Sequence, residues 1–279
     1  MHANTVGQSI TNPSPSARGE LQLKSGIIAH TVPCLGVSVY AGTLDELWKS
    51  MDRYQELPES RPNVLISFSS AHGFVEAQRR SDFKKVLERF DVNIPDGKPL
   101  AWLGFLKGKY VKQIRSEDFF EDFCSRRYSE SKKHFLCGGK EGVVQRVRKT
   151  MEKKCVGLQI SGHTPPFCSL EDFDYADIAR KIEESGSIFV WISLGTPKQE
   201  VFAERLSVHL RGKVILTVGA LFSTLAGQQG QAPKIFIRTG TEWLFRLFRE
   251  PKRLLKRYAY VIPMFFFYMI KSLIVSSRT

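Results

Sequence analysis

Short apolar runs alternate with longer stretches of three- and four-residue periodicity along most of this chain. The runs CLGVSVY (34–40), NVLISF (63–68), KHFLC (133–137), GLQIS (157–161), SIFVWISL (187–194) and KVILTVG (213–219) predict strands. Several are apolar on both faces, as strands of a covered parallel sheet are. Helical patterns fill the gaps: LDELWKSMDRY after Thr43, FVEAQRRSDFKKVLERF after Gly73, EGVVQRVRKTMEK after Gly139, LEDFDYADIARKIEES after Ser169 and KQEVFAERLSVHL after Pro197. Thr43 is a plausible N-cap. This alternation implies an α/β domain with right-handed crossovers, and no internal repeat is visible.

Both ends depart from the pattern. Residues 1–30 are Ser/Asn/Pro-rich and lack the apolar run of a secretion signal, so they predict a mobile tail ahead of a core over 31–230. Residues 231–279 form a basic, aromatic helical appendage. In it Trp243, Leu244, Leu247, Phe248, Leu254, Leu255 and Tyr258 recur at helical spacing, and Arg246, Arg249, Lys252, Arg253, Lys256 and Arg257 lie between them. Pro251 is expected to break or kink this tract. The apolar stretch after Tyr258 is interrupted by Pro263 and Lys271 and falls short of a membrane span. An interfacial or re-entrant segment is the expectation.

Charge sharpens the picture. The 279 residues carry a formal net charge of +13, which calls for an anionic partner. Nucleic acid and an anionic membrane surface are two readings of the basic tract, and the FFFYMI run beyond it favours the membrane; a plain solvated helix face is the third, which the clustering of like charge disfavours. The same tract could serve self-association into a homo-oligomer. The five cysteines have no C-x-x-C spacing and read as reduced thiols.

Four polar segments fall where strands end, which is where parallel sheets bind ligands. In CGGKEG (137–142), Gly138 and Gly139 permit close backbone approach to phosphate, or simply a tight turn. In NIPDGKPLAW (93–102), Asp96 is either a β-turn aspartate or a carboxylate held for general-base work. In SLGTPKQE (193–200), Thr196 can cap, Lys198 can meet phosphate, Gln199 can bond a sugar, and Glu200 suits a helix N-terminus. A well-capped surface helix is the plain alternative. FSSAHGFVEAQ (68–78) offers Ser69, Ser70 and His72, the last more often structural than catalytic. No pair has metal-ligand spacing, so no metal is implied.

Taken in order, PDGKPLAW, FLCGG, HTPPF, SLGTPKQE, TVGALFSTLAG and QAPKIFIRTGTEWLFRLFREPKRLLKRY resemble the WecG/TagA/CpsF family, glycosyltransferase family 26, over roughly residues 34–260. The resemblance implies a Rossmann-like core, a mainly parallel sheet flanked by helices, with the basic amphipathic appendage closing over the site. It implies inverting, metal-independent transfer of a sugar from a UDP-sugar to a polyprenyl-diphosphate-linked sugar at the cytoplasmic membrane face. By the same resemblance Asp96 is the base. Ser70, Gly138, Gly139, Lys198, Gln199 and Glu200 are donor-binding, and Arg246, Arg249 and Arg253 meet diphosphate. The chain departs from the family pattern at Ser70, where relatives carry Asn, at Gln113 and Ser116 in place of Arg and Gly, and at Ser223 in place of Asp. Those departures leave the donor open between an N-acetylhexosamine and a plain hexose. They also leave open a fold-preserving, catalytically degenerate binding or scaffold protein.

Overall fold

The computed structural model describes residues 19–22, 28–125, 133–155, 157–230 and 232–276. Most of the expected N-terminal tail lies outside the described residues. Within it, β1 (Gly19–Gln22) pairs antiparallel with β2 (Ile28–Cys34), and β2 pairs with β3 (Val37–Tyr40). The expected single strand over 34–40 is therefore a hairpin. Leu35 and Gly36 reverse the chain at positive φ, 49° and 70°, a backbone shape that an apolar run does not advertise.

The second sheet is the core. It comprises β4 (Val64–Ser69), β5 (Val92–Pro95), β6 (Lys133–Gly138), β7 (Gln159–His163), β8 (Phe189–Ser193) and β9 (Val214–Thr217). They lie in the order β5-β4-β9-β8-β6-β7, all parallel, giving a Rossmann-like core. Both faces are covered, which is why these strands read as unbroken apolar runs. Alternate residues serve opposite layers: Val190 and Ile192 enter one core cluster, and Phe189 and Trp191 the other.

Helices cover the faces in chain order. They are α1 (Leu44–Glu56), α2 (Ala71–Arg79), α3 (Ser81–Glu88), α4 (Lys98–Leu106), α5 (Ser116–Ser125), α6 (Val143–Lys154), α7 (Tyr175–Glu184), α8 (Lys198–Ser207) and α9 (Leu221–Leu225). Thr43 caps α1 in a full capping box with Glu46. The expected helix over 74–90 is two helices, broken at extended Arg80. The expected helix from Leu170 starts only at Tyr175, capped by the Asp174 side chain.

The five-thiol reading fails at one pair. Cys124 on α5 and Cys155, which ends α6, form a disulfide with Cα atoms 5.0 Å apart. Both sit beside the same buried layer, so packing of that layer joins two positions 31 residues apart in sequence. Cys34 and Cys137 are buried thiols, and burial pushes them up to about 11 and about 12.

The C-terminal tract is α10 (Lys234–Thr239), α11 (Glu242–Arg249) and α12 (Pro251–Ser276). Pro251 separates α11 from α12, whereas Pro263 lies inside α12. Among the described residues no helix is long and apolar enough to cross a membrane. One face of α12 belongs to the protein: Val261 and Phe265 are buried in the first core cluster, and Arg79 of α2 lies 5.0 Å over the Tyr260 ring. The other face leaves Phe266, Phe267, Ile270 and Ile274 exposed. Phe265→Ala is expected to cost about 3–4 kcal/mol and release α12, read as a lower urea midpoint with new proteolytic cleavage in that helix.

Candidate active site

The carboxyl ends of the parallel strands bring several of the singled-out segments to one edge. Asp96 follows β5, and Ser70 follows β4. The Asp96 N–H donates to the Ser69 carbonyl at 3.0 Å, locking the two loops together. Gly138 and Gly139 end β6. Four strand steps separate β5 from β6, so Asp96 and this glycine turn stand roughly 19 Å apart at about 4.8 Å per step.

Asp96 is held from several sides. Its Oδ1 accepts the Ser116 N–H at 2.8 Å, and its carbonyl accepts Gln113 Nε2 at 2.8 Å. Two of the positions that depart from the family pattern therefore fasten this aspartate. Burial, then the nearby Glu117 carboxylate, push the Asp96 carboxyl up to about 7, against the lowering pull of the Ser116 bond and Arg246. An aspartate at that value can take a proton at neutral pH.

Beside it lies a cleft of about 240 Å³, lined among others by Arg115, Glu117, Thr224, Gln229, Arg246 and Arg249. The appendage supplies one wall. Arg246 Nη2 reaches Glu242 at 2.6 Å and Glu117 at 3.3 Å, while Arg115 reaches Glu117 and Glu242, each at 3.4 Å. This array pins α11 to the start of α5. Burial opposes the charge on Arg246, but Glu242, Glu117 and Asp96 together hold its pKa above the ordinary arginine value. Arg249 differs. Among the described residues it has no carboxylate partner; it lines the cleft with its guanidinium 6.0 Å from the Phe245 ring centre. Arg253 is bonded to Glu250 at 2.6 Å, is exposed, and lies outside the cleft lining.

The β8 end is put to other uses. Gln199 is 0% exposed. Its Nε2 donates to Glu200 at 2.8 Å and to Thr196 at 3.3 Å, and its Oε1 accepts the Gly219 N–H at 3.2 Å. Glu200 is buried too. Its Oε1 also accepts the Thr196 hydroxyl at 2.9 Å, so Thr196 serves this carboxylate, not the helix cap. Burial raises the Glu200 pKa. Lys198 donates to the Cys168 carbonyl and lies over the Phe167 and Phe173 rings at 5.2 and 4.9 Å. Ser70, the residue between β4 and α2, makes no side-chain capping bond to the helix behind it. His72 is pushed down to about 4 by burial and by Arg257, so it is neutral at pH 7.

The glycine turn is sterically required. Gly138 has φ +121°, and a Cβ there would collide with the Ser193 carbonyl, which accepts the Gly139 N–H at 3.0 Å. Gly138→Ala is expected to cost at least about 1–3 kcal/mol from backbone strain, with the collision added, measured as a fall in urea midpoint.

Sequence reasoning missed Glu117, Glu242 and Arg115. Their only local signal is an acidic residue in the first turn of α5 and of α11. That normally reads as support for the helix dipole.

The chain is 26% identical over 198 residues to an N-acetylglucosaminyldiphosphoundecaprenol N-acetyl-beta-D-mannosaminyltransferase of Bacillus spizizenii, covering 71% of this chain and 75% of that protein. The sequence profile of the glycosyl transferase WecG/TagA/CpsF family matches residues 32–279. The chain belongs to the WecG/TagA/CpsF family of glycosyl transferases.

Proposed function

We propose that this chain transfers a sugar from a UDP-sugar to a polyprenyl-diphosphate-linked sugar in cell-surface polysaccharide synthesis, with inversion and without a metal ion. The observation that carries the reading is Asp96, a half-buried carboxylate with a raised pKa, next to a cleft whose wall offers Arg249, a cation with no carboxylate partner among the described residues. The printed name of the Bacillus relative supports a lipid-linked diphosphate sugar as acceptor. The donor carries an N-acetylmannosamine-type sugar or a plain hexose.

In this reading the Asp96 carboxylate takes the proton of the acceptor hydroxyl. The freed oxygen bonds the anomeric carbon from the face opposite UDP. The bond to the diphosphate oxygen breaks, and its electron pair leaves with UDP. Positive charge from Arg249 and Arg246 offsets what builds there, with Arg253 further out. Ser70, Gly138 and Gly139 face the donor end. Lys198, Gln199 and Glu200 set the shape of the β8 loop between them. The enzyme works peripherally at the cytoplasmic face of the membrane, where the exposed apolar face of α12 meets anionic lipid.

A second reading, UDP-sugar binding without turnover, draws on two observations: Gln199 spends its polar atoms inside the protein, and Glu117 and Glu242 occupy Arg246. UDP release by the full chain separates the two. A panel of UDP-sugars is tested with a short-chain polyprenyl-diphosphate sugar in detergent. Release that needs both acceptor and Asp96 is the expected result. Saturable UDP-sugar binding with no release from any pair would leave only the second reading.

A further inference from the structure

The helix that follows Asp96 has the composition of a fully buried element but is buried on one side only. In KPLAWLGFL, the only charge is Lys98. Leu100, Leu103 and Gly104 face the core. On the outer face, at i, i+3 and i+4, Trp102 is 42% exposed, Phe105 80% and Leu106 50%. A contiguous aromatic and aliphatic face of this kind on a surface helix marks an interaction site.

The surrounding charge identifies the partner. Between Asp96 and Ile114 the chain has Lys98, Lys107, Lys109 and Lys112 and no acidic residue. An apolar face with tryptophan and phenylalanine, rimmed by lysine, is the pattern of a helix lying in the headgroup region of an anionic bilayer. A second copy fits less well, since it would bring one lysine rim against another in a chain of net charge +13. The face also continues into the appendage. Lys98 donates to the Arg238 carbonyl at 2.6 Å at the end of α10, and Trp102 packs against Gly240.

We propose that the outer face of α4 is a second bilayer-docking surface, distinct from α12, with Trp102, Phe105 and Leu106 seated among the headgroups of anionic lipid and the lysines on their phosphates. Since α4 begins two residues after Asp96, docking it carries the base to the level at which a lipid-linked diphosphate sugar presents its hydroxyl. The proposal rests on the lipid-acceptor reading above, but its test needs neither donor nor acceptor.

The full-length chain and its Phe105→Ser/Leu106→Ser variant are sedimented with vesicles of phosphatidylglycerol and phosphatidylcholine. The variant is expected to bind about tenfold more weakly or worse, with an unchanged circular dichroism spectrum. Lys107→Glu/Lys109→Glu, which keeps the apolar face, should lose affinity only for vesicles containing phosphatidylglycerol. Brominated lipid should quench wild-type tryptophan emission and quench Trp102→Phe less. Parental vesicle binding by both double variants would overturn the proposal and leave docking to α12 alone. A wild-type dimer that Phe105→Ser/Leu106→Ser dissolves, with vesicle binding unchanged, would equally overturn it and make the face a contact between copies. If vesicle binding falls as expected while no UDP is released in any assay, the docking surface stands and the transferase reading does not.

Discussion

Asp96→Asn is expected to lower kcat by about 10²–10⁴-fold, the usual worth of a positioned general base, and to yield a protein more stable than its parent above pH 7. The two halves have one cause. The carboxyl titrates at about 7 in the fold, against an ordinary 3.8, because burial and Glu117 disfavour its charge. Activity needs the charged form, so kcat/KM of the parent should fall as pH drops below about 7. Stability runs the other way. Between about pH 4 and pH 7 the folded chain holds a proton that the unfolded chain has released. Folded stability therefore falls as pH rises through that window, and the full cost is present above it. Asparagine carries no charge and still offers an oxygen to the Ser116 N–H, so it escapes the cost while keeping the contact. The gap in thermal midpoint between variant and parent should be small at pH 4 and open by pH 8. Parental turnover in Asp96→Asn would remove the base from the mechanism. A midpoint gap independent of pH would show that the charge on Asp96 is not what the fold resists.

The sheet was legible because its physics is local. Strands buried on both faces must be apolar throughout, and NVLISF, SIFVWISL and KVILTVG show it without reference to anything distant. The hairpin at Leu35-Gly36 was not legible, since apolar residues flank a turn whose only mark is one glycine. The break at Arg80 is marked only by Ser81 and Asp82 behind it, a weak helix-start signal inside an otherwise continuous helical pattern. The site divides in the same way. Asp96 announces itself in Pro-Asp-Gly at a strand end, and the glycines of CGG announce their turn. Lys198 and Gln199 look ligand-facing because they are polar at a strand mouth. The fold instead gives Lys198 the Cys168 carbonyl and closes Gln199 onto Glu200, Thr196 and Gly219. The pairing of Glu117 with Arg246 spans 129 positions, so only tertiary packing creates it. It matters here because it seats the appendage and because its two members, after burial, pull the Asp96 carboxyl in opposite directions, Glu117 up and Arg246 down.

That division also predicts different behaviour from three arginines that sequence alone ranks as equals. Arg249→Ala is expected to lower kcat by about 10²–10³-fold, the cost of removing one preorganised donor from developing charge. Its urea midpoint should not move, because among the described residues no carboxylate depends on it. The loss should appear in kcat more than in KM, since the charge on the departing diphosphate grows only as the bond breaks. Arg249→Lys should recover part of the rate, keeping the charge and losing the fork. Arg246→Ala should lose both activity and about 1–3 kcal/mol of stability, because it strips a partner from buried Glu117 and from Glu242. With less positive charge nearby, the Asp96 pKa should also rise, moving the acid limb of the rate profile upward in pH. Arg253→Ala, exposed and outside the cleft, should stay within about 0.5 kcal/mol of the parent and near its rate. Single-turnover rates, steady-state constants and urea titrations on the three variants decide the matter. If Arg249→Ala turns over at the parental rate while Arg253→Ala does not, the diphosphate leaves past the outer arginine, and the cleft beside Asp96 does not hold the leaving group.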